Sequence, residues 1–175
     1  MILSDKQILE RIEKGDIVLS PFDKDSLGSN SYDVRLSEYV SEYNNDLLDA
    51  KKDNTIHTRK FNELILLPNK LYLMSTLEYT ESRNVVPVIS GKSSIGRLGI
   101  NVHVTAGFGD NGFCGHWTLE IFVLQPVRVY AGMKIGQLYW YETGECEQSY
   151  DKKETSKYND QPELPQGSRM FKNFI

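Results

Sequence analysis

The sequence predicts an all-β protein, a barrel or sandwich with one short helix at its N-terminus, and three observations predict it. Short runs of branched and aromatic residues recur along most of the 175 residues. Gly, Pro, Asn and Asp break them at short intervals, and there is no βαβ rhythm of the kind a doubly wound sheet requires. At 39% hydrophobic and 25% charged, with no low-complexity tract, the chain reads as one domain over 1–175 with its own core.

The helix comes first. Ser4 and Gln7 have capping-box spacing, Ile8, Leu9 and Ile12 recur at helical intervals, and Gly15 is a stop, so an amphipathic helix is expected from about Asp5 to Lys14. Strands are then expected at 17–20 (IVLS), 31–36 (SYDVRL), 64–67 (LILL), 71–79 (LYLMSTLEY) and 85–89 (VVPVI). Further ones follow at 100–104 (INVHV), 117–124 (WTLEIFVL), 127–130 (VRVY) and 134–142 (KIGQLYWYE). LPNK at 67–70, GDNG at 109–112 and QP at 125–126 supply turns. The polar stretch 44–62 reads as a surface excursion with only a weak strand signal. From Glu145 the chain turns polar and closes on Phe171, Phe174 and Ile175, the composition of a tail that docks on its own core or on a neighbouring subunit.

Composition also narrows the chemistry. The net charge of −4, from 20 basic and 24 acidic residues, offers no general attraction to nucleic acid, so an anionic ligand must meet local positive charge. Two cysteines, Cys114 and Cys146, and a start without a long apolar run suggest free thiols in a reducing compartment; no stretch is long and apolar enough for a membrane span. A soluble cytoplasmic protein is expected. His57, His103 and His116 are scattered, and neither a Cys-x-x-Cys pair nor the His-x-Glu with Pro-Cys-x-x-Cys of zinc deaminases occurs, so no zinc site is expected. Cys114 has no evident base, and no Gly-x-Ser-x-Gly elbow occurs.

Two stretches carry the chemistry that remains. In SGKSSIGRLGI (90–100), Lys92, Ser93, Ser94 and Arg97 gather hydroxyls, cations and backbone N–H groups, the donors that phosphate oxygens need; the plainer alternative is a solvated serine-rich turn. In TAGFGDNGFCGHWTLEI (105–121), four glycines permit a tight hairpin open to a ligand, with Asp110 near its tip. Glu120 follows in an apolar run. It either faces outward or is partly buried, and burial raises a carboxyl's pKa toward the range where it shuttles protons near neutral pH.

Taken together these motifs resemble the dCTP deaminase family of the dUTPase-like superfamily. SYDVRL (31–36) is similar to the family's first motif, GKSSIGRLGI (91–100) to its phosphate loop, and TAGFGDNGFCGHWTLEI to its nucleoside hairpin and catalytic strand. AGMKIGQLYW (131–140) and the arm SKYNDQPELPQGS (156–168) complete the order, nearly end to end. The resemblance implies a distorted dUTPase-like β-barrel, a homotrimer with sites between subunits, Mg²⁺ carried on the triphosphate rather than by protein side chains, and no zinc. It implies dCTP as substrate, with dUTP as a further ligand and dTTP as an inhibitor, and no nucleic-acid or membrane partner. Glu120 would be general base and then acid at cytosine C4, with Ser93 and Arg97 placing the water and the carbonyl region. Lys92 and Ser94 would hold phosphates, and Thr105, Ala106 and Phe108 would line the substrate pocket. Asp110 would bind the deoxyribose 3′-hydroxyl, while Gln137, Lys157, Tyr158 and Gln166, the last three in an arm spanning 145–175, would contact the triphosphate.

The sequence departs from the family pattern in places. Lys92 stands where many members carry arginine, keeping the charge but losing the bidentate fork. Gly107-Phe108 replaces the His-Arg of deamination-only members and is similar to members that also cleave dUTP to dUMP and diphosphate. Against that, Gly109-Asp110-Asn111-Gly112 varies the usual aliphatic-Asp-x-Gly. The first reading is therefore deamination of dCTP to dUTP and ammonia, supplying the route to dUMP. Its alternative is a bifunctional enzyme giving dUMP and diphosphate. A dUTPase-only enzyme or a non-catalytic nucleotide-binding module stand further off, the former because a diphosphatase needs no acid–base group at C4.

Overall fold

The structure, a computed structural model, describes residues 1–105 and 107–174; Ala106 and Ile175 lie outside the described residues. In chain order the elements are helix α1 (Asp5–Glu13) and strands β1 (Ile17–Ser20), β2 (Tyr32–Tyr43), β3 (Ile56–Lys60), β4 (Glu63–Leu66), β5 (Tyr72–Thr76), β6 (Tyr79–Ser82) and β7 (Val85–Gly91). They continue as helix α2 (Ser93–Gly96), β8 (Ile100–Asn101), β9 (Cys114–Gly115), β10 (Thr118–Val123), β11 (Val127–Tyr130) and β12 (Lys134–Glu142). Among the described residues no helix is long and apolar enough to cross a membrane.

Helix α1 starts where the sequence places it. The Ser4 hydroxyl accepts from the Gln7 N–H and the Gln7 side chain accepts from the Ser4 N–H at 2.9 Å, so two orphan donors of the first turn are satisfied reciprocally. Gly15 takes φ +76° just past the end, a conformation that costs glycine little.

All named strand pairs are antiparallel. One sheet runs β7-β12-β2-β5-β10-β8, with β3 added to β2; a second runs β1-β6-β9; β11 and β4 form a ribbon. They wrap barrel-like around a core that includes Tyr32, Val34, Leu36, Met74, Leu119, Ile121, Ile135, Leu138 and Trp140. In β10 the alternation is strict: Leu119, Ile121 and Val123 face this core, so Thr118, Glu120 and Phe122 face away from it.

Three differences from the sequence expectation have physical causes. The run 71–79 is two strands in two sheets, because Glu78 turns the corner between them, fully buried, its carboxylate accepting from the Arg35 N–H (2.8 Å) and Nε (2.7 Å). The segment 44–62 contains a real strand, β3, whose Ile56 opposes Tyr43. Its polar sequence is that of an edge strand, with Ile56 and Thr58 half-buried on one face and His57, Arg59 and Lys60 exposed. The strand expected at 100–104 stops at Asn101, after which His103, Val104 and Thr105 leave the sheet to line a cleft.

The polar tail folds back on its own chain. Gln161 pairs with Gly115 in a parallel bridge, the His116 N–H donates to the Gln161 carbonyl (3.0 Å), and the Asp160 N–H donates to the Cys114 carbonyl (3.0 Å). The Ser168 N–H reaches the Tyr43 hydroxyl at 2.9 Å.

Candidate active site

Beside β10 opens a cleft of about 510 Å³, the size of a small-molecule site. Glu120 and Thr118 form its floor, His103 to Thr105 one wall, Phe108 to Asp110 another, and Tyr158, Gln161 and Gln166 to Ser168 of the tail its roof. The open question about Glu120 is thereby settled in an unexpected way. It faces outward from the core, but the outer face of β10 is the floor of the cleft, so the carboxylate is partly buried as well.

Its ionisation runs opposite to the simple burial argument. His103, with Nδ1 at 3.7 Å from Oε2, holds the Glu120 carboxyl below the ordinary carboxylate range, outweighing burial, which pulls upward. The backbone N–H groups of Val104, at 3.2 Å, and Thr105 add to the lowering. The separation from His103 is an ion-pair distance rather than a hydrogen bond, and neither buried ring nitrogen of His103 has a hydrogen-bond partner. Before substrate arrives Glu120 is thus an anion ready to accept a proton.

The glycines of the hairpin are demanded by close approach. The Ile89 N–H donates to the Gly107 carbonyl (2.7 Å) and the Gly109 N–H to the Pro87 carbonyl (2.9 Å), laying Phe108 against Val88 of β7. A Cβ on Gly107 would collide with the Ile89 carbonyl oxygen. A Cβ on Gly109 would lie 2.6 Å from the Trp117 ring and 2.9 Å from Pro87. The departure from an aliphatic residue before Asp110 therefore has a steric reason: Trp117 already fills that space, and Asp110 still lines the cleft.

In the roof, the Thr118 hydroxyl donates to Gln161 Oε1 (3.0 Å) and accepts from the Gln166 N–H (3.1 Å), tying the tail to the strand that carries Glu120. Tyr158 accepts from the Arg169 N–H (2.8 Å), and the Arg169 guanidinium lies over its ring at 5.7 Å. Lys157 does not line the cleft, and its ammonium donates to Asn173 instead. Sequence reasoning missed Gln161 and His103. Gln161 is only 7% exposed, and the signal for it was a second glutamine in the arm motif; for His103 it was proximity to Thr105 in the hairpin run. Ala106 lies outside the described residues. Cys114 is a buried free thiol pushed up to about 11 by burial, which agrees with the sequence expectation that it is not a nucleophile.

The remaining expected residues lie elsewhere. Ser93, Ser94 and Arg97 are exposed on α2 and its end, Lys92 caps α2 and pairs with Asp33, and Gln137 sits on β12 opposite both Asp33 and Ser90. None of these five lines the Glu120 cleft, and no lysine or arginine is among the residues that do. The structure thus brings six expected residues together (Glu120, Thr105, Phe108, Asp110, Tyr158 and Gln166) and sets the hydroxyl-and-cation loop apart from them.

A barrel-like β fold with a cleft of small-molecule size and a carboxylate on its floor is the architecture of a small-molecule site, and the class of enzyme follows from the chain's relatives. The chain matches the family model described as dCTP deaminase-like over residues 2–143, and it belongs to that family. It is 45% identical over 177 aligned residues to "dCTP deaminase, dUMP-forming" of Clostridium acetobutylicum, covering 100% of this chain and 99% of the relative. To the protein of the same name in Cytophaga hutchinsonii it is 47% identical over 176 residues, covering 99% of each. Among solved structures it is similar in fold to the 2′-deoxycytidine 5′-triphosphate deaminase from Agrobacterium tumefaciens (TM-score 0.63, 20% identity). That match covers 79% of this chain, which spans 47% of the solved one.

Proposed function

We propose that this enzyme converts dCTP to dUMP in two hydrolytic steps, releasing ammonia and then diphosphate, in a homotrimer whose sites lie between subunits. The sequence alone placed the reading that stops at dUTP first. The printed names of the relatives support the dUMP-forming alternative, as do Gly107-Phe108 and the steric account of Gly109.

The observation that carries the reading is Glu120, an anion on the cleft floor held by His103 and the Val104 N–H. It takes a proton from the water that attacks C4 of cytosine, and returns a proton to the amino group as the C4–N bond breaks and ammonia leaves. A positioned group of this kind contributes on the order of 10²–10⁴ in rate. Arg97 stays protonated and so acts by position and charge, not as a base. In the second step a water displaces diphosphate at the α-phosphate, with Asp110 at the cleft wall helping to orient it. Mg²⁺ comes with the triphosphate, whose oxygens are the hard ligands it prefers. In this reading the metal is carried by the nucleotide and this chain's own residues bind the phosphates.

Charge supports the assembly. A triphosphate cannot be held by a cleft that contains Glu120 and Asp110 but no lysine or arginine. Ser93, Ser94 and Arg97 are exposed, and Lys92 half-buried, on the turn between β7 and β8 outside the cleft lining, where in this reading a second copy completes the site.

Incubation with dCTP and Mg²⁺, assaying ammonia, diphosphate and nucleotides, tests the reaction. Equal ammonia and diphosphate with dUMP are expected; accumulating dUTP restricts the enzyme to deamination, and absence of ammonia overturns the reading. Co-refolding inactive Glu120→Gln and Arg97→Ala chains tests the shared site. Mixed trimers regain activity if the two groups come from different copies, and regain none if each chain completes its own site.

A further inference from the structure

We propose that Lys134 is a further phosphate-binding cation, and that Asp33 is the positioning residue that holds it and Lys92 as a pair; this rests on reading the Ser93-Ser94 loop as the triphosphate half-site.

The argument begins with strand register. Asp33 of β2 opposes Gln137 of β12, which opposes Ser90 of β7, two residues before Lys92. In a regular strand Lys134 and Gln137, three residues apart, would point to opposite faces of the sheet. Here the register shifts between Lys134 and Gly136, so Lys134 opposes Arg35 while Gln137 opposes Asp33. Asp33 and Arg35 share one face, and the bulge therefore brings Lys134 onto the face that carries Gln137 and Asp33. Gly136 allows the bulge, since a Cβ there would lie 2.9 Å from the Ser90 carbonyl.

Once on that face, both ammonium groups converge on one carboxylate. Lys92 pairs with Asp33 Oδ1, and Lys134 Nζ lies 3.3 Å from Oδ2 and 3.0 Å from the Asp25 carbonyl. Arg35 is not available to share this role, because its guanidinium is committed to the buried Glu78. Without Lys134 the Asp33 charge would cancel that of Lys92, leaving Arg97 as the half-site's only unopposed cation among the groups named here. With Lys134 two ammonium groups flank the single Asp33 carboxylate, Asp23 being a further carboxylate that feels the Lys134 charge, and Arg97 then supplies the excess cation a polyanion requires. Lys134 is 39% exposed and Lys92 24%, open enough to turn from Asp33 to phosphate without crossing the core.

Steady-state kinetics and thermal unfolding of Lys134→Gln and Lys134→Arg, with calorimetric titration of inorganic tripolyphosphate, test this. Loss of one charge-assisted contact raises the dCTP KM about tenfold in Lys134→Gln. It leaves kcat and Tm near wild type and weakens tripolyphosphate binding comparably, while Lys134→Arg restores both affinities. Unchanged KM and tripolyphosphate affinity in Lys134→Gln overturn the proposal, as does a loss of affinity that follows only a fall in Tm. Asp33→Asn separates positioning from charge: tripolyphosphate binds as tightly or tighter, because a negative charge is gone, while kcat/KM for dCTP falls. If both fall together, Asp33 is not a positioning residue. A wild-type protein that turns over dCTP yet ignores tripolyphosphate refutes this inference alone, whereas one that binds neither nucleotide nor tripolyphosphate refutes the parent reading with it.

Discussion

The Glu120 cleft and the Ser93-Ser94 loop belong to the same long sheet and are built on opposite plans. The cleft lies on β10; the loop leaves β7 at one end of the strand order and enters β8, the neighbour of β10, at the other. The cleft is enclosed by its own chain on floor, walls and roof, and its fixed charge is negative. The loop is exposed, rests on a four-residue helix, and carries hydroxyls and cations. Proton transfer calls for a dry, shaped surround, whereas capture of a polyanion calls for accessible donors. Within one chain neither Arg97 nor Lys92 lines the Glu120 cleft.

The largest effect that separates the two regions is expected from Glu120→Gln. It keeps an acceptor for the Val104 N–H but cannot take a proton, so kcat for ammonia release falls by about 10²–10⁴ while nucleotide affinity stays within a few-fold, read by single-turnover assay and titration. Retention of near-wild-type deamination would displace Glu120 from its role. Next comes the frame common to both. Glu78→Ala strands Arg35 at the β5–β6 corner, and chemical denaturation should show a loss of about 3–5 kcal/mol that damages cleft and loop alike.

Gly107→Ala is smaller and one-sided. Pushing the hairpin off the Ile89 carbonyl should cost about 1–3 kcal/mol and lower kcat/KM, yet leave tripolyphosphate binding at the loop unchanged. The gentlest probe is pH. Because the folded-state pKa of Glu120 is lowered from 4.5, its stabilising contribution is complete above that value and is lost as pH falls through the lower folded value. The free enzyme should accordingly keep its base across neutral pH, with kcat/KM declining on the Glu120 account only in acid; a base titrating near neutrality would contradict the His103 contact.

Much of the frame was legible from periodicity. Ser4 and Gln7 announced the helix, and IVLS, VRVY and KIGQLYWYE coincide with β1, β11 and β12 because alternation and turn residues act locally. The corner at Glu78 was not legible, since a glutamate inside LYLMSTLEY becomes a corner only when Arg35, more than forty residues earlier, comes to meet it. The site divided in the same way. Glu120, Asp110 and the loop serines could be picked out by residue type in an unusual setting. The lowering of the Glu120 pKa depends on His103 leaving the sheet, and Lys134 acquires its facing only from a bulge, neither of which a one-dimensional pattern displays. Spacing in an irregular arm says nothing about which way a side chain turns, and the Lys157 ammonium, expected at the triphosphate, here donates to Asn173.

The tail described above, bridged from Gln161 to Gly115 and from Gln166 to Thr118, closes over the very strand that carries Glu120. If the reaction runs in the two steps proposed, this sets up a race. Were dUTP formed beneath it, its fate would depend on whether the second hydrolysis outran the unlatching of the tail's hydrogen bonds to Cys114, His116, Thr118 and Tyr43. The arm would then govern a partition ratio: the tighter its latch, the smaller the share of intermediate that escapes to bulk solvent, and the more nearly two chemical events behave as one.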